Sequence, residues 1–166
     1  MYRPILIVLV GLIVATAEAG TTCSEKAPTP RALQKGLELG LETRSVLERS
    51  NAEVAVIGRI GSDLSEYGLR YSHAGFVWRD HPQGRWLVVH MLNQCGTANS
   101  DLFDEGLGSF FLDDPLIYET LLLIPSASTQ RKLARALGSD LPRRLYEPAY
   151  SMIANPWSTR YQNSNQ

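Results

Sequence analysis

Histidines carry most of the chemical potential of this 166-residue chain, and there are only three of them. His73 lies in the apolar segment Tyr71 to Trp78, and His90 in the segment Arg85 to Leu92. Imidazole is the side chain best suited to moving protons near neutral pH. Strand alternation groups Tyr71, His73, Gly75 and Val77 on one face, and Trp86, Val88 and His90 on one face of the next segment. The two rings can therefore share a layer, either as a base and its orienter or as two core histidines satisfied by backbone carbonyls. His81 falls in the turn cluster Asp80-His81-Pro82-Gln83-Gly84 and is expected in solvent. A base needs a nucleophile. Ser72 adjoins His73 and so points to the opposite face, which excludes it. Ser164 is the better candidate, in a polar run after an aromatic stretch, although its spacing from the histidines does not separate it from a solvated tail serine. No Cys or carboxylate stands at ligand spacing from the histidines, so no metal is expected, and no cofactor motif is present.

The elements that must position these residues follow from periodicity. Thr29-Pro30 reads as an N-cap and first helical residue, and Leu33, Leu37, Leu41, Val46 and Leu47 continue a helix through Glu48. Gly36 and Gly40 weaken that helix, which makes sense where another element packs closely. Ala52 to Ile60 is a β-branched strand. The two His-bearing segments form an antiparallel hairpin, and the second is apolar on both faces, as a central strand is. Thr97 to Asp114 reads as a packed loop or short helix held by Phe103, Leu107, Phe110 and Phe111. Ile117 to Ile124 is a further strand, stopped by Pro125. Ser126 or Ser128 caps a helix carrying Leu133, Ala134 and Leu137, closed by Gly138. Leu145 to Gln166 is an aromatic loop with a polar end. The order predicts an α+β domain with an antiparallel sheet and flanking helices.

Composition sets the outer bounds. Sixteen Lys and Arg against 17 Asp and Glu give a net charge of −1, without the basic excess of a nucleic-acid binder. An apolar composition of 44% suits one compact domain and excludes a disordered tail. Arg3, the apolar run Ile5 to Ala15 and Ala17-Glu18-Ala19 have the layout of a secretory signal peptide over residues 1–19. The run is shorter than the roughly 20 residues a spanning helix needs, so cleavage is expected to leave no integral membrane span. Residues 20–166 would then form a single exported domain, periplasmic or secreted. In an oxidising compartment Cys23 and Cys95 most simply form one disulfide, closing a loop of about 72 residues at about 4 kcal/mol of loop entropy. The competing reading makes Cys95 a reactive thiol.

Two resemblances sharpen this picture. The strings Tyr71-Ser72-His73-Ala74-Gly75-Phe76-Val77 and Trp86-Leu87-Val88-Val89-His90-Met91-Leu92 resemble the His-bearing hairpin of circularly permuted papain-like proteins, among them NlpC-type peptidase relatives and lecithin–retinol acyltransferase-like enzymes. Residues 23–166 also resemble an exported bacterial family known as domain of unknown function 2145. The match includes Tyr-Ser-His-Ala-Gly at 71–75, Asn93-Gln94-Cys95, Asn155-Pro156 and Tyr161 to Gln166. The papain-like resemblance implies His73 as general base, His90 as its orienter and Asn163-Ser164 in the place of the family's Asn-Cys pair. Serine is a far weaker acid than the thiol it replaces. The helix whose N-terminus would stabilise an oxyanion is missing after Ser164, so the domain is expected to lack its C-terminal helix and to be truncated there. Two functions of the groove follow, beside a purely structural role in an envelope assembly. One is an amide or ester hydrolase or acyltransferase relative, with Ser replacing the catalytic Cys and activity lost in this chain. The other is a non-catalytic envelope module whose groove binds a peptide or glycan through Trp78, Trp86, Trp157 and the Asn/Gln cluster around Asn163. Cell-wall peptides and acyl groups are the ligands the resemblance implies, and no nucleic acid is.

Overall fold

A computed structural model describes residues 27–113, 115–152 and 157–164. The leader, Cys23, Asn155-Pro156 and Asn165-Gln166 lie outside the described residues. Helix α1 spans Pro30–Ser50. Thr29 caps it, its hydroxyl accepting from the Ala32 N–H at 3.2 Å, and Asn51 ends it in the left-handed conformation. Its buried face differs from the leucine pattern in the sequence. Leu33, Leu37, Leu41 and Val46 stay exposed, whereas Gly36, Gly40, Thr43 and Leu47 are buried. The two glycines let a neighbouring segment approach the helix backbone. A Cβ at Gly36 would lie 2.7 Å from Leu112 Cδ2 and 3.0 Å from the Phe111 carbonyl, and one at Gly40 would lie 3.2 Å from Gly108 N.

Five antiparallel strands follow, β1 (Val54–Ile60), β2 (His73–His81), β3 (Gly84–Asn93), β4 (Ser100–Gly106) and β5 (Ile117–Leu123), in the spatial order β4-β3-β2-β1-β5. The fold is α+β, an open five-stranded sheet with four helices among the described residues. The hairpin of β2 and β3 turns at Pro82-Gln83, with His81 opposite Gly84. Strand β4 corrects the reading of Thr97 to Asp114 as loop or short helix. It pairs with β3 along its whole length, and the short helix α2 (Leu107–Phe110) comes only after it.

The sheet has two unlike faces. Ala55 and Ile57 of β1, Val77 of β2 and Val88 of β3 point toward α1 and α2, where they pack with Leu47, Leu107, Phe110 and Phe111 to make the main core. The other face is covered by α3 (Ala127–Leu137) and α4 (Leu141–Leu145). Ser126 caps α3 by accepting from Thr129 N–H at 3.3 Å. Buried Gln130 ties α3 to the sheet: its carbonyl accepts from Glu53 N–H at 2.7 Å, and its amide donates to the Pro125 carbonyl at 2.7 Å. No helix among the described residues is long and apolar enough to cross a membrane.

Candidate functional site

The β2–β3 register explains how two distant histidines meet. Val77 pairs with Val88 and Phe76 with Val89, so the ladder continues to set Gly75 against His90. A Cβ at Gly75 would lie 2.9 Å from His90 Cβ, so only glycine leaves room for the ring's stem. His73, two residues before Gly75 and on the same face, then reaches His90 ring to ring. His73 Nε2 lies 2.8 Å from His90 Nδ1, with the rings edge-on at 66°. Both residues are buried, and both rings pack against Phe110.

Strand β4 adds a residue that the sequence reading missed. Glu105 approaches His90 Nε2 at 3.5 Å, and that nitrogen is otherwise buried without a hydrogen-bond partner. Assigning the His90 proton to Nε2 points an N–H at this carboxylate and makes Nδ1 an acceptor. His73 then donates from Nε2, and its own Nδ1 keeps a lone pair. Arg59, also missed, sits opposite His73 in the β1–β2 ladder. It is buried, donates to the Phe110 carbonyl and Asp113, and lies over the Phe110 ring at 4.9 Å. Burial, the Arg59 cation and His90, in that order, push the His73 pKa down to about 3. At neutral pH His73 is therefore an uncharged imidazole in a chain that runs His73–His90–Glu105.

Ser164 lies elsewhere. It borders a partly open cavity of about 450 Å³ between the sheet and α3–α4. Sheet residues lining it include Val56, Ala74, Phe76, Val89 and Met91, which alternate with the core-facing positions and so belong to the opposite face. His90 and Gly75 border the cavity too, but the His90 ring packs with His73 and Phe110 on the core side. Among the described residues Ser164 makes no hydrogen bond to either ring. The structure thus joins the two imidazoles, while Ser164 shares with His90 the border of this cavity and no hydrogen bond.

Of the aromatic candidates, Trp157 is exposed, outside the cavity wall, and the other two are spent on packing. Trp86 is buried in the main core, and its Nε1–H donates to Glu48 Oε1 at 2.8 Å. Trp78 is buried on the cavity face but beneath Gly138, whose Cβ would lie 3.4 Å from the indole. Neither lines the cavity, and neither does Asn163. His81 is more sheltered than its turn position suggested. Its ring stands edge-on to Trp78, Nδ1 accepts from Gln83 N–H at 3.1 Å, and Nε2 faces Asp104 at 3.5 Å. Among the described residues no group of three or more His, Cys, Asp or Glu could hold a metal ion.

Apolar residues dominate the cavity wall. Leu133 and Leu137 come from α3, and Leu141 and Leu145 from α4. Its polar groups are few. Tyr146 spends its hydroxyl on the Ser100 carbonyl. Gln162 is spent as well, its carbonyl accepting from Glu147 N–H and its amide donating to the Leu145 carbonyl. The Ser164 hydroxyl has no hydrogen bond among the described residues and is free to meet a ligand.

Together these features define a small α+β domain with an antiparallel sheet, a buried imidazole pair on one face and an apolar cavity on the other. A family model described as an uncharacterized protein conserved in bacteria (DUF2145) matches residues 46–166, and the chain belongs to that family. No curated protein and no solved structure matches it.

Proposed function

We propose that this protein is a non-catalytic binding domain that holds an acyl-type chain in the cavity between the sheet and α3–α4. The cavity carries the reading. Its volume, about 450 Å³, falls within the roughly 300–1,000 Å³ typical of small-molecule sites, and its wall is mostly apolar with one uncommitted hydroxyl. Such a wall suits a hydrocarbon chain with a single ester, amide or carboxyl oxygen near Ser164. The imidazole pair supports kinship with the permuted papain-like proteins. Ser164 makes no hydrogen bond to either ring among the described residues, which supports loss of the hydrolase or acyltransferase chemistry, since a base must come within hydrogen-bond reach of its nucleophile. The leader would place the domain outside the cytoplasm, where acyl-bearing envelope components are the available ligands.

Displacement of a fluorescent long-chain fatty acid tests this reading. The folded protein binds the probe, and Ala136→Phe, which fills the cavity, weakens binding about tenfold or more, a loss of roughly 1.4 kcal/mol. Ser164→Ala removes one hydrogen bond and weakens binding only about fivefold. His73→Phe, on the other face, leaves affinity unchanged. A folded protein that binds no acyl probe overturns the proposal. So does turnover of an acyl ester that disappears in both Ser164→Ala and His73→Phe.

A further inference from the structure

The helices that wall the cavity have a second face, and its charge is unlike the rest of the chain. Helices α3 and α4 carry Arg131, Lys132, Arg135, Arg143 and Arg144 against a single acid, Asp140, within a protein whose net charge is −1. All five cations are exposed. Among the described residues only Arg144 makes an ion pair, with Asp140 at 3.9 Å. The same two helices turn leucines toward the cavity, and the mouth is not sealed. Leu102, Leu141 and Leu145 line the cavity yet remain 37%, 38% and 64% exposed. A basic amphipathic helix pair beside exposed leucines and an apolar hollow is the pattern of a membrane-surface element, in which cations meet anionic headgroups and apolar side chains enter the interface.

We propose that the α3–α4 hairpin docks on anionic phospholipid bilayers and presents the cavity mouth to their acyl chains. The acyl-chain part rests on the binding reading above; the docking part stands on the charge and the exposed leucines alone. A solvated basic face would need no leucines at its edge. An acidic protein or nucleic acid would gain nothing from the apolar mouth, whereas a bilayer satisfies both features.

Co-sedimentation of the full chain with vesicles tests the docking face. Binding is expected with phosphatidylcholine–phosphatidylglycerol vesicles, little with phosphatidylcholine alone, and a decline as salt rises. Each cation near an anionic surface contributes about fivefold in partition, the equivalent of about 1 kcal/mol, so Arg131→Gln with Arg135→Gln together cost about 30-fold. Neither residue lines the cavity or is ion-paired, so the double variant keeps its circular dichroism and its affinity for the soluble fatty acid probe. Equal binding to neutral and anionic vesicles overturns the proposal, as does full binding by a folded double variant. Displacement from vesicles by polyglutamate at matched charge would assign the face to an acidic protein instead. Vesicle binding without probe binding would leave docking intact and remove only the acyl-chain reading. Probe binding without vesicle binding would do the reverse.

Discussion

The neutral imidazole at His73 makes stability fall with acid in a defined window. Its ordinary pKa is 6.5, and burial with the Arg59 cation and His90 beside it holds the folded value at about 3. The unfolded chain therefore takes up this proton first as pH falls. Stability is complete above 6.5 and declines between 6.5 and about 3. At about 1.4 kcal/mol per unit the whole window costs about 5 kcal/mol, of which about 2 kcal/mol is gone by pH 5. The two shifted glutamates stay out of the upper part of the window. Glu48, held near 2 by its hydrogen bonds to Arg85 and Trp86, and Glu119, held near 2 by Arg70 and Tyr71, lose stability only as pH falls below their ordinary 4.5. Urea unfolding from about pH 7.5 down to about pH 5 reads the slope, and His73→Phe, which keeps a ring against Phe110, should flatten it. Imidazole proton shifts read the same group directly, with no His73 titration expected above about pH 5. A His73 ring that titrates near 6.5, or an equal slope in His73→Phe, refutes the buried neutral imidazole at His73.

Two further perturbations probe the frame. Gly36→Ala improves helix propensity by up to about 1 kcal/mol, yet its Cβ meets the Phe111 carbonyl at 3.0 Å, so we expect a net loss of about 1–2 kcal/mol in urea unfolding. Gly106→Ala has nothing within 4 Å and should change stability by less than about 0.5 kcal/mol. We also propose the Cys23–Cys95 link: intact mass should rise by about 2 Da on reduction, with a stability loss of about 4 kcal/mol. An unchanged mass removes the link.

Where the sequence could be read, one local rule decided the outcome. The hairpin was legible because both strands are continuously apolar around their histidines, and period-two alternation alone put the rings in one layer. The start of α1 was legible through Thr29-Pro30, and the Ser126 cap of α3 likewise. The buried face of α1 was not legible. Hydrophobicity favours Leu33, Leu37 and Leu41, but the close approach of Phe111-Leu112 and Leu107-Gly108 selects the side with no Cβ. Strand β4 was hidden by Asp101, Asp104 and Glu105, which interrupt any apolar pattern, and Glu105 was lost from the site with it. The cavity required α4, a five-residue helix too short to show a period, to lie beside α3.

The charges that hid β4 also explain how an edge strand keeps its register. Hydrophobic burial cannot fix it, since Leu102, Phe103 and the acids that flank them are all at least partly exposed. Consecutive strand residues face opposite sides of a sheet. Asp104 accordingly reaches the His81 ring beside Trp78, while Glu105 reaches His90 above the core. A slip of one residue would turn both carboxylates to the wrong face at once and take Glu105 away from His90 Nε2. The imidazole pair is then part of what sets the edge of the sheet. The burial of both rings and the lowered pKa of His73 suit a place in the frame of the sheet, whereas the cavity opens on the other face.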